Sequence, residues 1–169
     1  MSELRVQRII IACDAVCAMG SAIERAAVLA AHWRAPLHGV FVEDAALLEL
    51  AALPFSRKIV LSPMLVEALD PEGIARAFGA LAGSARQGVA AAAARHGLDW
   101  SFTVTRASGS ASGLAEEDAD LFVLQGAVRP FGGRFQPRSR WIGVACELSR
   151  SVLLLLPARH PGRTIVALV

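Results

Sequence analysis

Apolar residues follow two rhythms along this chain. Short, unbroken runs of isoleucine, valine and leucine alternate with longer stretches in which apolar positions recur every three to four residues. Residues 8–14, RIIIACD, are apolar at nearly every position, which predicts a strand buried on both faces, as in a parallel sheet. Residues 20–33 bring Ile23, Ala26, Ala27, Ala30 and Ala31 onto one face at helical spacing. Ser21 is placed to cap that helix, with Glu24 completing a capping box. A second strand is expected over 36–44, PLHGVFVED. In 45–69, AALLELAAL reads as helical and stops at Pro54, and RKIVLSP reads as an excursion or a short strand. Asp70 as N-cap and Pro71 at the first helical position start a long helix that ends at Gly97. Its internal Gly79, Gly83 and Gly88 suggest close packing on a sheet. Strands follow at 100–106, 120–126 and 151–157, with a short helix over 112–119 and a helix-like stretch at 140–148. The alternation predicts an α/β protein with a layered sheet of parallel strands.

Length and composition narrow this picture. The 169 residues suit one domain with a full core, here residues 1–160, and 54% apolar content excludes general disorder. The tail 161–169 contains GRTIVALV, which repeats the character of QRIIIACD near the start. It reads either as the beginning of a second, absent domain, or as an extra edge strand or exchanged arm. No run approaches the ~18 apolar residues of a membrane span, and no secretory leader pattern opens the chain. The expectation is a soluble, cytoplasmic protein that engages no membrane. A net charge of only +2 argues against nucleic acid as a partner. Three cysteines form no disulfide framework. AALLELAALPF and residues 151–157 are apolar enough to pack on a partner or at a dimer edge.

Candidate chemistry gathers in a few places. Cys13 and Cys17, with His32 or His38, have loose zinc spacing, but no second clustered pair follows, and packing is the preferred role. A redox role for Cys17 near a helix N-terminus is the alternative. Asp14, Glu43 and Asp44 fall at expected strand ends, where α/β proteins place ligands. They suit ribose hydroxyls or a magnesium ion, or, for Asp14, capping of the next turn. The segment GAVRPFGGRFQPRS, 126–139, follows a strand and carries Arg129, Arg134 and Arg138, with Arg140 just beyond. It reads as a glycine- and arginine-rich loop. No Ser-His-Asp order or nucleophile elbow is visible.

A first strand ending in Asp14, a second ending FVED, the strand ADLFVLQG and the final SVLLLLP occur in an order and spacing that resembles the universal stress protein family, over about residues 6–157. The resemblance implies an α/β fold with an open, five-stranded, mostly parallel sheet and helices on both faces, a Rossmann-like sandwich, together with dimerisation through the last strand in many members and an ATP site in some. That site would use Asp14, backbone at Val42 on the adenine side, and Gly126 as the first glycine of a Gly-x2-Gly-x9-Gly-[Ser/Thr] loop. This chain departs from the pattern. Arg129 stands where the second glycine belongs, and Arg138 stands before Ser139, the counterpart of the loop Ser/Thr. Gly132 and Gly133 are out of register. Glycine lets backbone amides approach phosphate oxygens, so a side chain at those positions alters the cradle. Guanidinium groups bind phosphate in their own way. The alternative is a solvated loop stiffened by Pro130 and Pro137.

The resulting expectation is a stress- or signal-related domain that acts by binding, with a degenerate ATP site. It would work as a homodimer, as part of a tandem pair, or with another protein partner. A functional sensor of ATP, another adenine nucleotide or a phosphate ligand, built on the arginine loop, is the alternative. A slow ATP hydrolase is the weaker one, since no general base or metal set stands out.

Overall fold

The structure is a computed structural model that describes residues 6–13, 20–61, 64–107, 119–125, 127–131, 134–138, 145, 149–155 and 165–168. Its elements run in the order β1 (Ile9–Cys13), α1 (Gly20–Trp33), β2 (Leu37–Asp44), α2 (Ala45–Ala51), β3 (Arg57–Leu61), β4 (Met64–Ala68), α3 (Pro71–His96), β5 (Trp100–Ala107), β6 (Ala119–Gln125), β7 (Ala127–Phe131), β8 (Arg134–Arg138), β9 (Ser149–Leu155) and β10 (Ile165–Leu168). The main sheet has the order β10-β9-β6-β1-β2-β5. Five of its strands are mutually parallel, as expected, and β10 adds an antiparallel sixth along β9.

Both faces of the central strands are buried, which is why their sequences carry no polar alternation. On one face Ile9, Ile11, Leu37, Phe41 and Val123 meet α1 and α3. On the other, Ile10, Val40, Val42, Phe122 and Leu154 form a second core that includes Ala145. That buried alanine is the described residue of the 140–148 stretch, and the expected helix over 112–119 lies outside the described residues except for Ala119, which belongs to β6. Aromatic packing joins the layers, with Phe41 and Phe78 edge to face at 6.5 Å. Gly39 lets β5 and α3 pack close, since a Cβ there would lie 2.7 Å from Phe102 and 2.9 Å from Val89.

Helix α3 follows its local signals. Asp70 Oδ1 accepts from the Glu72 amide at 3.1 Å, Pro71 opens the helix, and Gly97 closes it at φ 62°. Its interior glycines behave otherwise than expected. Nothing stands within 4 Å of a Cβ added at Gly79 or Gly83, and Gly88 approaches Ile23 of α1 rather than the sheet. Phe78, Ala82, Ala85 and Val89 supply the buried face instead, so Gly79 and Gly83 sit where no packing demands them, while Gly88 gives room to Ile23, 3.2 Å from where its Cβ would stand.

The expected capping box on α1 also differs. Ser21 lies inside the first turn of a helix that already includes Gly20. Glu24 reaches across to the end of α3, where it pairs with Arg95 and lies 2.9 Å from His96 Nε2. A cross-helix cation pair outcompetes a local amide for that carboxylate. The His96 hydrogen bond first, and then Arg95, hold the Glu24 carboxyl below its ordinary value.

Two hairpins were not foreseen. Strands β3 and β4 pair antiparallel within 45–69, and β7 and β8 pair antiparallel where a loop was expected. Residues 132 and 133, a Gly-Gly pair of the kind that favours two-residue hairpin links, separate β7 from β8 in sequence. Pro130 and Pro137 are tolerated because each strand of a two-stranded ribbon is an edge.

Candidate functional site

The strand order fixes where a ligand site belongs. From β1 the chain moves outward through β2 to β5, then returns to the other side of β1 with β6 and β9. The direction reverses between β1 and β6, and open α/β sheets bind ligands beyond the carboxyl ends of the strands at that switch. Strand β1 ends at Cys13 and β6 at Gln125. The next residues in sequence are Asp14 and Gly126. Both lie outside the described residues, as do Cys17, Gly132, Gly133 and Ser139.

Val42 stands near the end of β2, in register with Thr105 of β5. Its side chain is buried in the second core, so only its main chain is placed to meet a ligand. Glu43 and Asp44, read from sequence as ligand-facing carboxylates, have structural partners. Arg106 Nε and Nη2 donate to Glu43 Oε2 at 3.2 and 3.1 Å across the β2–β5 pair. Asp44 caps α2, accepting from the Leu47 amide at 3.3 Å. Among the described residues no cluster of three or more His, Cys, Asp or Glu is arranged to hold a metal ion. Cys13 is buried in the first core, and His38 is buried with its Nδ1 2.5 Å from Ser101 Oγ. Of the zinc pair considered from sequence, Cys13 and Cys17, only Cys13 is among the described residues.

Gln125 was missed. It is half-buried at the carboxyl end of β6, beside the switch point, in register with Leu155. It is the first polar residue after the apolar run LFVL, which is the signal that marks it.

The ribbon β7–β8 springs from the same strand end, two residues after Gln125. Its register pairs Ala127 with Arg138, Arg129 with Gln136, and Phe131 with Arg134. Arg129, Arg134 and Arg138 thus fall at alternate positions of this register. The family's glycine cradle does not fit this arrangement. Arg129 and Arg138, at the two glycine positions, are both strand residues paired across a ladder, whereas the cradle needs an open loop of backbone amides.

No protein-family model matches the chain, and no curated protein matches it significantly by sequence. Solved structures do match in fold. A universal stress protein from Archaeoglobus fulgidus superposes with a TM-score of 0.53 at 12% identity, covering 88% of this chain and 92% of that one. A universal stress protein family member from Burkholderia pseudomallei gives 0.47 at 22% identity, over 73% and 83%. A universal stress protein in complex with cAMP gives 0.42 at 18% identity, over 72% and 73%. The chain thus has the fold of the universal stress proteins, an α/β sandwich on a parallel sheet. Among the described residues no helix is long and apolar enough to cross a membrane.

Proposed function

We infer that this chain is a stress- or signal-related binding domain of universal-stress-protein fold whose ATP site is degenerate. It acts by binding a ligand or partner rather than by turnover. One observation carries the reading: an antiparallel ribbon follows β6 where a nucleotide-binding member needs a glycine loop. In a two-stranded ribbon alternate amides are engaged in the ladder and the rest point outward along two separate edges, so they are not gathered around one triphosphate.

A second reading rests on the ribbon's register. Three arginines within one short ribbon, which follows the switch-point strand β6 in sequence, suit a phosphate-bearing ligand held by guanidinium groups rather than by amides. ATP, AMP, a cyclic nucleotide and inorganic phosphate all present that chemistry. Gln125 and the main chain at Val42 are the neighbouring groups that would orient the remainder of such a ligand.

Calorimetric titration and thermal shift with each of these ligands, with and without magnesium, separate the readings. Saturable stabilisation reports a ligand that binds the folded state and reaches about 2.7 kcal/mol at 100 times Kd. No shift at roughly millimolar ligand, a concentration that exposes even Kd values near 1 mM, supports the degenerate site. A shift that disappears when Arg129, Arg134 and Arg138 are replaced by glutamine supports the arginine-held anion. A magnesium-dependent ATP shift that survives those replacements overturns both.

A further inference from the structure

Polarity in the β3–β4 hairpin is divided along its length. Residues 59–66, IVLSPMLV, hold no charge and a single hydroxyl, and the residues that flank them are Lys58 and Glu67. The register pairs Lys58 with Glu67, Ile59 with Val66, Val60 with Leu65, and Leu61 with Met64. Charge is therefore confined to the base, in Arg57, Lys58 and Glu67, and every pair beyond it is apolar. Successive pairs face opposite sides of a ladder, so Ile59 and Val66 lie on one side and Leu65 on the other. All three are open to solvent, at 64%, 62% and 47%. At these positions neither side of the hairpin is covered. The base is tied to the domain. Leu69 N–H donates to the Ser56 carbonyl at 3.1 Å, Ser56 Oγ donates to the Leu50 carbonyl at 2.6 Å, and Asp70, next in sequence, caps α3.

A flat protein surface covers one side of such a hairpin and leaves the other in water. A bilayer surrounds whatever enters it and covers both. We propose that β3–β4 is a finger that inserts reversibly, apolar end first, into the surface of a lipid bilayer.

Its dimensions and charges suit that medium. From Lys58 to Leu61 the strand advances three residues, about 10 Å at ~3.4 Å each, which matches the roughly 5–10 Å to which interfacial elements bury their apolar parts. Both strands of a two-stranded sheet are edges, and open sheet edges are not tolerated in the hydrocarbon interior. The finger therefore stops in the headgroup and upper acyl zone, with its base among the headgroups. Lys58 and Glu67 neutralise each other through a 2.8 Å ion pair. Residues 56–76 as a whole hold Arg57, Lys58 and Arg76 against Glu67, Asp70 and Glu72. A balanced base of both signs suits zwitterionic headgroups and makes the attraction apolar in origin. Contact of this kind needs no helix that crosses a membrane, and none is present among the described residues.

The test is flotation of the unmodified full chain with phosphatidylcholine vesicles. Half-binding is expected at lipid concentrations on the order of 0.1–1 mM, the range of a single acyl chain or somewhat weaker. Binding is expected to be the same at low and high salt, because the base is balanced. Leu65→Ser on one side, and Ile59→Ser with Val66→Ser on the other, are each expected to weaken it about fivefold or more, and the triple variant at least ~30-fold. In the unmodified chain, amide exchange over residues 57–68 is expected to slow on both strands when vesicles are added. That readout decides the matter if a variant fails to fold. The proposal is overturned if the chain does not float at about 5 mM lipid, several times the concentration expected for half-binding, including the case in which the hairpin captures a protein instead. Binding that requires anionic phosphatidylglycerol and is lost at high salt also overturns it, since the arginines of β7–β8 would then be responsible. So does a folded triple variant that floats as well as the unmodified chain, or a bound state with hairpin exchange unchanged.

Discussion

Both long helices end in the same hydrogen-bonded motif, but with different residues at its strained position. In α3, Leu98 N–H donates to Ala93 O at 3.0 Å and Gly97 N–H to Ala94 O at 3.4 Å, with Gly97 at φ 62°. In α1, Ala35 N–H donates to Ala30 O at 2.9 Å and Arg34 N–H to Ala31 O at 3.2 Å, with Arg34 at φ 54°. This is the Schellman pattern, whose left-handed residue is usually glycine. Arginine there suffers the Cβ–carbonyl crowding of the left-handed region, about 1–2 kcal/mol. Glycine removes that cost but adds about 0.5–1 kcal/mol of unfolded-state entropy. Arg34→Gly should therefore stabilise the fold by about 0.5–1 kcal/mol. Gly97→Ala should destabilise it by a similar amount, because no atom stands within 4 Å of the added Cβ and the cost is conformational alone. For a chain of this size each kcal/mol corresponds to about 2–4 °C in Tm. Urea titrations of the two variants should shift their midpoints in opposite directions with unchanged slope. A destabilised Arg34→Gly protein would refute the reasoning, since it would mean that the side chain contributes more than the backbone strain takes away.

Other outcomes follow from single contacts. Gly39→Ala should cost about 1–3 kcal/mol by overpacking, because its Cβ would stand 2.7 Å from Phe102 and 2.9 Å from Val89; chemical denaturation measures this directly. Asp70→Ala should cost about 1 kcal/mol through loss of the α3 cap, read as an earlier melt. The Glu24 carboxyl is held below its ordinary value, so it is more acidic folded than unfolded and binds fewer protons in the folded state. Its contribution is complete above the unfolded carboxylate range near 4.5 and is lost as pH falls through the lower folded value. Glu24→Gln should therefore narrow the stability gap to the unmodified protein as pH drops from about 6 to 3, in melts across that range.

The parts of the fold legible in the sequence are those fixed by local chemistry or by burial on both faces. Asp70, Pro71 and Gly97 bound α3 because caps act within a few residues. The apolar runs of β1, β2, β6 and β9 declare themselves because parallel strands need apolar residues on either side. The hairpins escaped for the opposite reason. Strand β3 matters only once β4 pairs with it, and β7–β8 carries two prolines and four charged or amide residues that hide its alternation. The site suffered similarly. Glu43 resembles a ligand group until Arg106, 63 residues away, is seen to hold it, and Asp44 until the Leu47 amide claims it. Glu24 satisfied a capping-box spacing, yet its partners lie 71 and 72 residues on. Spacing rules see only one of the competitors for a carboxylate.

The same limits bear on how the chain would meet a partner. From sequence, the apolar run 151–157 is a natural dimer edge. In the structure β10 lies antiparallel along β9, with Val166 in register with Leu154 and Leu168 with Val152. The ladder on that side of β9 is thus filled from within the chain, and an edge whose hydrogen bonds are already made offers no template for another strand. Pairing through β9 would require β10 to leave first, at the cost of those bonds and of any apolar contact made along them. The outer strands of the main sheet are β10 and β5, and β5 bears Ser101, Thr103 and Arg106 among its exposed residues, with Arg106 tied to Glu43. Polar and charged groups on an edge discourage strand addition. The β3–β4 hairpin is a separate two-stranded sheet whose opposed Ile59 and Val66 are exposed, with Arg57 on the same face two positions along. Contact through the hairpin would displace no strand of the main sheet, whereas pairing through β9 would first displace β10.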